Sequence, residues 1–512
     1  MLKSLITPAD PVPASHLGRV YFIGIGGAGM SGIARIMLAR GISVSGSDAM
    51  PSALLDDLRA HGARVHVGHA SANLGDLGAG DTLVVSSAIR ADNPELAEAT
   101  RRGMRVMHRA AALASVMAGR RVIAVAGTHG KTTTTSMLAT VLRECGADPG
   151  YVIGGILNET GLGAEDGAGM DFLAEADESD GSFLLLSPDV AVITNVEADH
   201  LDNYGNLAEI EAAFATFGSR VSSLVLTCAD DPGAEAVAAR LESQSPQRIR
   251  RYGESFRSDY RLGDVRAQGL AVSFAVTADH SPFGEIFAQM TVQVPGHHNA
   301  LNATAAFAAA VELGFAPPRV TAALAGYRGA RRRMELKGEA DGVRVFDSYA
   351  HHPTELAADL RAARGIAAEG SGGHGGVVPP GANTAEGSGG HGGVVPPGTS
   401  RAAGRVIAIF QPHLYSRTRI FAGDFGAALD LADEVVVLDV YAAREDPEPG
   451  VTGRLVADAV PGGRALFQPD RTAVAPVIAG IAAPGDVVLT MGAGDVTTLG
   501  PELVQAIGRR HE

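Results

Sequence analysis

At 512 residues the chain exceeds what one hydrophobic core organises, and domains of roughly 100–200 residues predict about three. An apolar share of 46% with 19% charged residues describes a globular chain, and a net charge of −15 argues against nonspecific attraction to nucleic acid or an anionic membrane. Two cysteines, Cys145 and Cys228, are too few for a disulfide framework or a zinc cage.

The opening residues, MLKSLITPADPVP, hold no long apolar core with a cleavage site, and no run approaches the ~18 apolar residues of a membrane span. The expectation is a soluble cytoplasmic protein, monomeric or homodimeric, with no nucleic-acid partner and no membrane insertion. The first strand, RVYFIG (19–24), runs into GIGGAG (24–29), which matches GxGxxG, with Asp48 following 19 residues beyond Gly29. By spacing alone this is a dinucleotide fingerprint with Asp48 placed for a ribose hydroxyl, although a tight strand-to-helix turn without a ligand gives the same pattern. ISVSGSD (42–48) and TLVVSSAI (82–89) continue the alternation of strand, glycine turn and helix.

RVIAVAGTHGKTT (121–133) is the most informative stretch: an apolar strand feeding a phosphate-binding loop. Gly127 and Gly130 allow the tight turn, so backbone N–H groups near Thr128, His129 and Thr133 can face phosphate oxygens. Lys131 supplies a cation, Thr132 a hydroxyl for Mg²⁺, and the following helix points its positive end at the anion. The chain has only three lysines, Lys3, Lys131 and Lys337, so a lysine in this loop stands out. The spacing is GxxGKT, with Val125 where GxxxxGK[ST] needs glycine, which points away from the common GTPases and motor ATPases.

MDFLAEAD (170–177) places Glu175 at the end of a strand, where an open parallel sheet presents its ligands, and VAVITNVEADH (190–200) brings His200 to the end of the next. Glu175 and the Thr132 hydroxyl are hard oxygen ligands suited to Mg²⁺; His200, read alone, is a capping or core histidine. Asp177, Glu178 and Asp180 read as a solvated acidic turn that focuses divalent cations. In HNALNA (298–303), Asn299 and Asn302 share one helical face and fit an adenine edge, with helix capping the alternative for Asn299. Arg331, Arg332 and Arg333 read as a solvated basic turn. VRVFDSYAHHPTE (343–355), RVIAIFQPH (405–413), EVVVLDVY (434–441) and DVVLTMGAGD (486–495) form a third α/β block. Hinges near 118–119 and 326–329 divide the chain into 1–118, 119–328 and 329–512. AEGSGGHGGVVPPG recurs verbatim at 368–381 and 385–398, and its composition reads as a disordered surface insertion over about 367–401. Its repeated His374 and His391 read as solvated, with a metal tract as the rival reading.

Taken together, GIGGAGMSGIA (24–34), SSAIRADNPE (86–95), AGTHGKTTTT (126–135), EADESDGSF (175–183), TNVEADHLDNY (194–204), HNALNA (298–303), DSYAHHPTE (347–355), QPHLYSRT (411–418) and MGAGD (491–495) closely resemble the Mur ligase family, and its alanine-adding branch in particular. These are amino-acid-adding ligases of bacterial peptidoglycan synthesis. The resemblance runs in order from about residue 18 to 508 and lapses only across the insertion. It implies three α/β domains: an N-terminal Rossmann-like UDP-binding domain, a central P-loop ATPase domain on a parallel sheet, and a C-terminal Rossmann-like domain for the amino acid. The implied reaction is ATP-dependent ligation of L-alanine to UDP-N-acetylmuramate through an acyl phosphate.

Under that resemblance the GxGxxG loop is reread as a UDP-sugar site of Gly26, Gly27, Gly29, Met30, Ser31, Asp48 and Ser87. Lys131, Glu175, His200 and Arg333 take the catalytic roles, and Thr132, Glu175 and His200 hold two Mg²⁺ ions. Asn302, Arg333 and Asp347 join the glycine loop around ATP, while His351, His352 and Arg417 form the amino-acid end. Two positions depart from the family pattern: Leu414 stands where many members have a second arginine, and Ser348 replaces an aspartate. Sister ligases carry a modified lysine after the histidine; none lies between Lys131 and Lys337, which agrees with the alanine branch.

Overall fold

Runs of Val, Ile and Phe too short for helices become strands, and the glycines behind them turn the chain into covering helices. The computed structural model describes residues 12–244, 247–369, 404–443 and 445–511, so the duplicated insertion lies outside the described residues from 370 to 403. The chain divides into two compact units: residues 1–267 with 271–333, and residues 268–270 with 334–512.

The first unit holds two sheets. Strands β1 (Val20–Ile23), β2 (Val44–Asp48), β3 (Arg64–Val67), β4 (Thr82–Val85) and β5 (Arg105–His108) form a parallel sheet in the order β3-β2-β1-β4-β5. The order reverses beside β1, so the glycine loop at its end occupies a topological switch point, where open α/β sheets bind ligands. All four residues of β1 are buried, as a strand covered by helices on both faces requires.

The second sheet has ten strands: β6 (Arg121–Ala126), β7 (Gly150–Val152), β8 (Ala164–Glu165), β9 (Asp171–Glu175), β10 (Val190–Ile193), β11 (Leu224–Cys228), β12 (Arg248–Gly253), β13 (Tyr260–Gln268), β14 (Ala271–Ser281) and β15 (Gly284–Val292). β6 lies between β10 and β9 and is parallel to both. The helix Lys131–Glu144 behind β6 is buried from Thr132 to Leu142 and shares a core with the helix His297–Glu312, whose alanines allow close approach. The β14–β15 hairpin at one edge is antiparallel, an extension the strand–glycine–helix reading did not anticipate.

The second unit is a six-stranded sheet of β16 (Glu335–Ala340), β17 (Val343–Ser348), β18 (Val406–Phe410), β19 (Glu434–Val437), β20 (Ala465–Phe467) and β21 (Val487–Met491), ordered β16-β17-β21-β18-β19-β20. Only β16 is antiparallel to its neighbour. Alternation splits its core over two faces: Phe346, Ala408, Phe410 and Leu489 on one, Val345, Ile407, Ile409 and Val488 on the other. The α/β class expected from the sequence is the observed one. No helix among the described residues is long and apolar enough to cross a membrane.

Candidate active site

Only residues 127–130 separate β6 from the helix Lys131–Glu144. So short a connection works because Gly127 and Gly130 take φ of +136° and +80°. Space also demands glycine: a Cβ on Gly127 would stand 2.0 Å from Thr194 Oγ1, and one on Gly130 2.6 Å from Asn302 Oδ1. The loop is buttressed by the segment leaving β10. Thr194 Oγ1 and Asn195 Nδ2 donate to the His129 carbonyl at 2.5 and 3.1 Å, the His129 N–H donates to Asn195 Oδ1 at 2.7 Å, and the Glu197 N–H donates to Thr128 Oγ1 at 2.9 Å. Thr194, Asn195 and Glu197 escaped the sequence reading as site residues, although TNVEADH begins immediately behind a strand. Gly127→Ala is expected to raise the KM for ATP by about tenfold or more, because strain at a phosphate-facing turn displaces its N–H groups; an unchanged ATP KM would contradict this loop geometry.

Lys131 Nζ is held inside the loop, donating to the carbonyls of Gly127 (2.5 Å) and Thr128 (3.1 Å) and to Glu178 Oε1 (3.0 Å). Glu178 is only 3% exposed, so the acidic turn is not solvated throughout as expected, although the Asp177 side chain remains 36% exposed. Its residues are drawn inward by cations and donors on both sides of the unit. Asp177 pairs with Arg109 at 2.5 Å, Asp180 accepts from Ser87 and lies 3.4 Å from His108 Nε2, and Tyr204 Oη donates to the Glu178 carbonyl at 2.5 Å. Burial pushes the Glu178 carboxyl up to about 7 against the pull of Lys131. Burial alone would also raise Asp177 and Asp180. Arg109 and Lys131 hold Asp177 below the usual carboxylate range instead, and hydrogen bonds from His108, Ser182 and Ser87 do the same for Asp180.

β6 and β9 are parallel neighbours, so Thr132 behind one and Glu175 at the end of the other meet: Thr132 Oγ1 donates to Glu175 Oε2 at 3.2 Å. The other carboxylate oxygen accepts the Gly154 N–H at 2.7 Å, and Arg333 Nη2 donates to Thr132 Oγ1 at 2.9 Å. Arg333 therefore belongs to this cluster and not to a solvated basic turn. Burial raises the Glu175 carboxyl, while Gly154, Arg333 and Lys131 pull it back. Two glycines keep the pocket wall bare: a Cβ on Gly154 would approach Glu175 Oε2 to 2.7 Å, and one on Gly155 the Thr132 methyl to 2.9 Å. A hydroxyl and a carboxylate in an uncrowded cradle fit a hard divalent cation. His200 enters the helix Leu201–Tyr204 at φ +52°, with Nε2 3.5 Å from Asp199 Oδ2.

Asn302 and Asn299 share the helical face expected of them. Asn302 Nδ2 donates to Asn299 Oδ1 at 3.2 Å, and Thr134 Oγ1 donates to Asn302 Oδ1 at 3.2 Å, which ties this helix to the one behind the glycine loop. Gly296 is the N-cap, so Asn299 does not cap; its Nδ2 donates to the Pro295 carbonyl at 2.7 Å.

At the first sheet, Asp48 Oδ2 accepts the Gly26 N–H at 2.9 Å and thereby fixes the glycine loop against the end of β2. Gly27 caps the helix Ala28–Ala39, whose Met30 and Ser31 are buried. Ser87 Oγ lies 3.1 Å from His108 Nε2. Arg109, a residue the sequence reading passed over, stands beside Gly29: a Cβ there would be 3.4 Å from its Nη1.

In the second unit, Asp347 is fully buried at the end of β17, accepting from Thr490 Oγ1 at 2.7 Å and Thr497 Oγ1 at 2.6 Å. Ser348 donates to Asp359, which gives the serine a structural partner. His351 Nδ1 lies 3.0 Å from the Tyr349 carbonyl, with its ring 6.1 Å from that of His413, itself stacked on Tyr441. His352 packs edge-on against Phe421, and Arg417 is buried in the first turn of the helix Tyr415–Leu429. Leu414 caps that helix at φ +69°, an uncommon conformation for a residue with a side chain.

Three family models match the chain: "Mur ligase family, catalytic domain" over 19–121, "Mur ligase middle domain" over 125–310, and "Mur ligase, glutamate ligase domain" over 332–372 and 398–494. Among curated relatives, the UDP-N-acetylmuramate–L-alanine ligase of Thermobifida fusca is 54% identical, covering 99% of this chain and 100% of its own. That of Kineococcus radiotolerans is 55% identical over 97% and 98% of the two chains. The crystal structure of a UDP-N-acetylmuramate–alanine ligase from Thermotoga maritima superposes with a TM-score of 0.73 at 28% identity, covering 95% of this chain and 98% of that one. A murein peptide ligase from Psychrobacter arcticus, 24% identical, shares the fold at a TM-score of 0.68 over 97% of this chain and 100% of that one.

Proposed function

Because the chain belongs to the Mur ligase family, we propose that its two glycine loops and the cluster between them carry out ATP-dependent ligation of L-alanine to UDP-N-acetylmuramate. The product is UDP-N-acetylmuramoyl-L-alanine, with ADP and phosphate released. The observation that carries this reading is the convergence of Lys131, Thr132, Glu175 and Arg333 at the carboxyl ends of β6 and β9. An oxygen of the muramyl carboxylate bonds the γ-phosphorus of ATP as ADP leaves; the alanine nitrogen then bonds the acyl carbon as phosphate departs and the ammonium proton is lost. A carboxylate and a triphosphate repel, so the site must neutralise charge before they meet. Lys131, Arg333 and the loop N–H groups not held by Asn195 supply that stabilisation. Thr132, Glu175 and His200 would hold two Mg²⁺ ions, which would supply Lewis-acid charge neutralisation.

Gly26, Gly27, Gly29, Met30, Ser31, Asp48 and Ser87 take the UDP-sugar, Asn302 and Arg333 take ATP beside Gly127–Thr133, and Asp347 is assigned to ATP by the family resemblance alone. His351, His352 and Arg417 take L-alanine, Arg417 gripping its carboxylate through two parallel hydrogen bonds. With leucine at 414, no second arginine from that position assists Arg417. Arg417→Ala should therefore raise the KM for L-alanine by about tenfold or more, leaving that for ATP nearly unchanged; equal KM values for L-alanine would remove Arg417 from the site. The reaction itself is tested by following ADP with Mg²⁺, ATP and UDP-N-acetylmuramate while each amino acid, and a cell-wall tripeptide, is offered in turn. L-alanine should drive turnover. Preference for the tripeptide, or ADP release independent of any amine, would overturn the proposal.

A further inference from the structure

Glu95 is fully buried, and no lysine or arginine is paired with it among the hydrogen bonds it makes. Its carboxylate instead collects donors from three parts of the first sheet. Oε1 accepts from Tyr21 Oη (2.9 Å), Asn73 Nδ2 (2.7 Å) and the Ala70 N–H (3.3 Å); Oε2 accepts from Ser47 Oγ (2.5 Å) and faces His69 Nδ1 at 3.2 Å. A buried carboxylate is costly unless its oxygens are satisfied, and this one is, with the first turn of the helix Pro94–Arg101 adding favourable field. The segment it gathers lies beside Asp48, because the Gly68 N–H donates to the Asp48 carbonyl at 2.7 Å and Asn73 Nδ2 donates to the Gly68 carbonyl at 3.1 Å.

The network also fixes a proton. Ser47 has one hydroxyl hydrogen, and it goes to Glu95. Ser47 Oγ lies 2.9 Å from His69 Nδ1, so it must accept there, and Nδ1 must carry the hydrogen. In neutral imidazole that leaves Nε2 as an acceptor, on the side of a ring that is a quarter exposed.

We propose that Glu95 is a positioning residue for the UDP-sugar: through Ser47 it holds His69 as the Nδ1–H tautomer, so that Nε2 accepts a hydrogen bond from a hydroxyl or N–H of the nucleoside. This deepens the proposed function and rests on its placing the UDP-sugar at Asp48. Glutamine at position 95 reverses the wire. Its amide must donate at the Ser47 end to keep an acceptor for Tyr21, Asn73 and Ala70, Ser47 then donates to Nδ1, and the hydrogen moves to Nε2.

The test is a double-mutant cycle with UDP as the probe, measured by titration calorimetry on the full chain: wild type, Glu95→Gln, His69→Ala and the pair. Glu95→Gln should weaken UDP binding about tenfold, and the pair should be no worse than His69→Ala within about twofold. The KM for ATP should stay put, and ¹⁵N-histidine spectra should report the Nε2–H tautomer in Glu95→Gln. Glu95→Asp, keeping the charge, should retain the Nδ1–H tautomer, and it serves where the glutamine variant folds poorly. Variants that bind UDP as wild type does, or losses that multiply in the pair, overturn this inference alone. Wild-type protein that ignores UDP overturns the substrate reading of this sheet end, and this inference with it.

Discussion

Lys131→Ala should abolish ADP formation, lowering kcat by about 10³-fold or more while UDP binding changes less than about twofold. The lysine sits inside the loop, and its hydrogen-bond partners are two carbonyls and one carboxylate, so the triphosphate must displace Glu178 to engage it. Alanine removes the cation from the phosphates and also strands Glu178 in a buried site. Breaking a buried pair from one side costs about 3–5 kcal/mol, so a loss of activity alone would confuse catalysis with unfolding. Lys131→Ala combined with Glu178→Gln separates them. Neutralising both partners should recover thermal stability, and ADP formation should remain absent. Turnover in either variant at more than about a tenth of the wild-type rate would mean that Lys131 does not meet the reacting phosphate.

Much of this site was legible because its residues lie within a few positions of a strand end. Gly127, Gly130, Lys131 and Thr132 follow β6 directly, and Glu175 ends β9, so recognising two parallel strands already brings the lysine, the hydroxyl and the carboxylate to one edge. Asn302 was readable from helical spacing for the same reason: its partner Asn299 is local. The acidic turn was misread because its burial depends on the other sheet. Nothing local to residues 177–180 tells that Arg109, His108 and Ser87 will lie opposite them, and a run of four polar residues defaults to solvent. Arg333 was obscured likewise by its neighbours Arg331 and Arg332, since only long-range packing selects which of three arginines reaches Thr132. Glu95 was given no role by the sequence, because its inward rotation answers to Tyr21 and Ser47, 74 and 48 residues away. The antiparallel β14–β15 hairpin was missed because attention to glycine-terminated strands finds parallel units and passes over period-two alternation.

Glu175→Gln should lower kcat by about 10²-fold or more and shift the half-saturating Mg²⁺ concentration upward, with UDP binding intact. Glutamine matches the shape of the carboxylate and can still accept the Gly154 N–H, so the sheet end should hold its form. What it lacks is charge, and the Thr132–Glu175 contact shows why charge matters at this spot. Arg333 donates to the same hydroxyl that donates to Glu175, so the carboxylate balances a guanidinium on one side and, in its proposed role, helps hold a divalent ion on the other. Removing the negative charge leaves Arg333 to repel that ion. Arg333→Met on top of Glu175→Gln relieves the repulsion, and so should return part of the Mg²⁺ affinity without returning the rate, since the proposed role of Arg333 is to stabilise the transferring phosphoryl group. A Glu175→Gln enzyme with the wild-type Mg²⁺ dependence would place the ion elsewhere and leave Glu175 as a loop strut for Gly154.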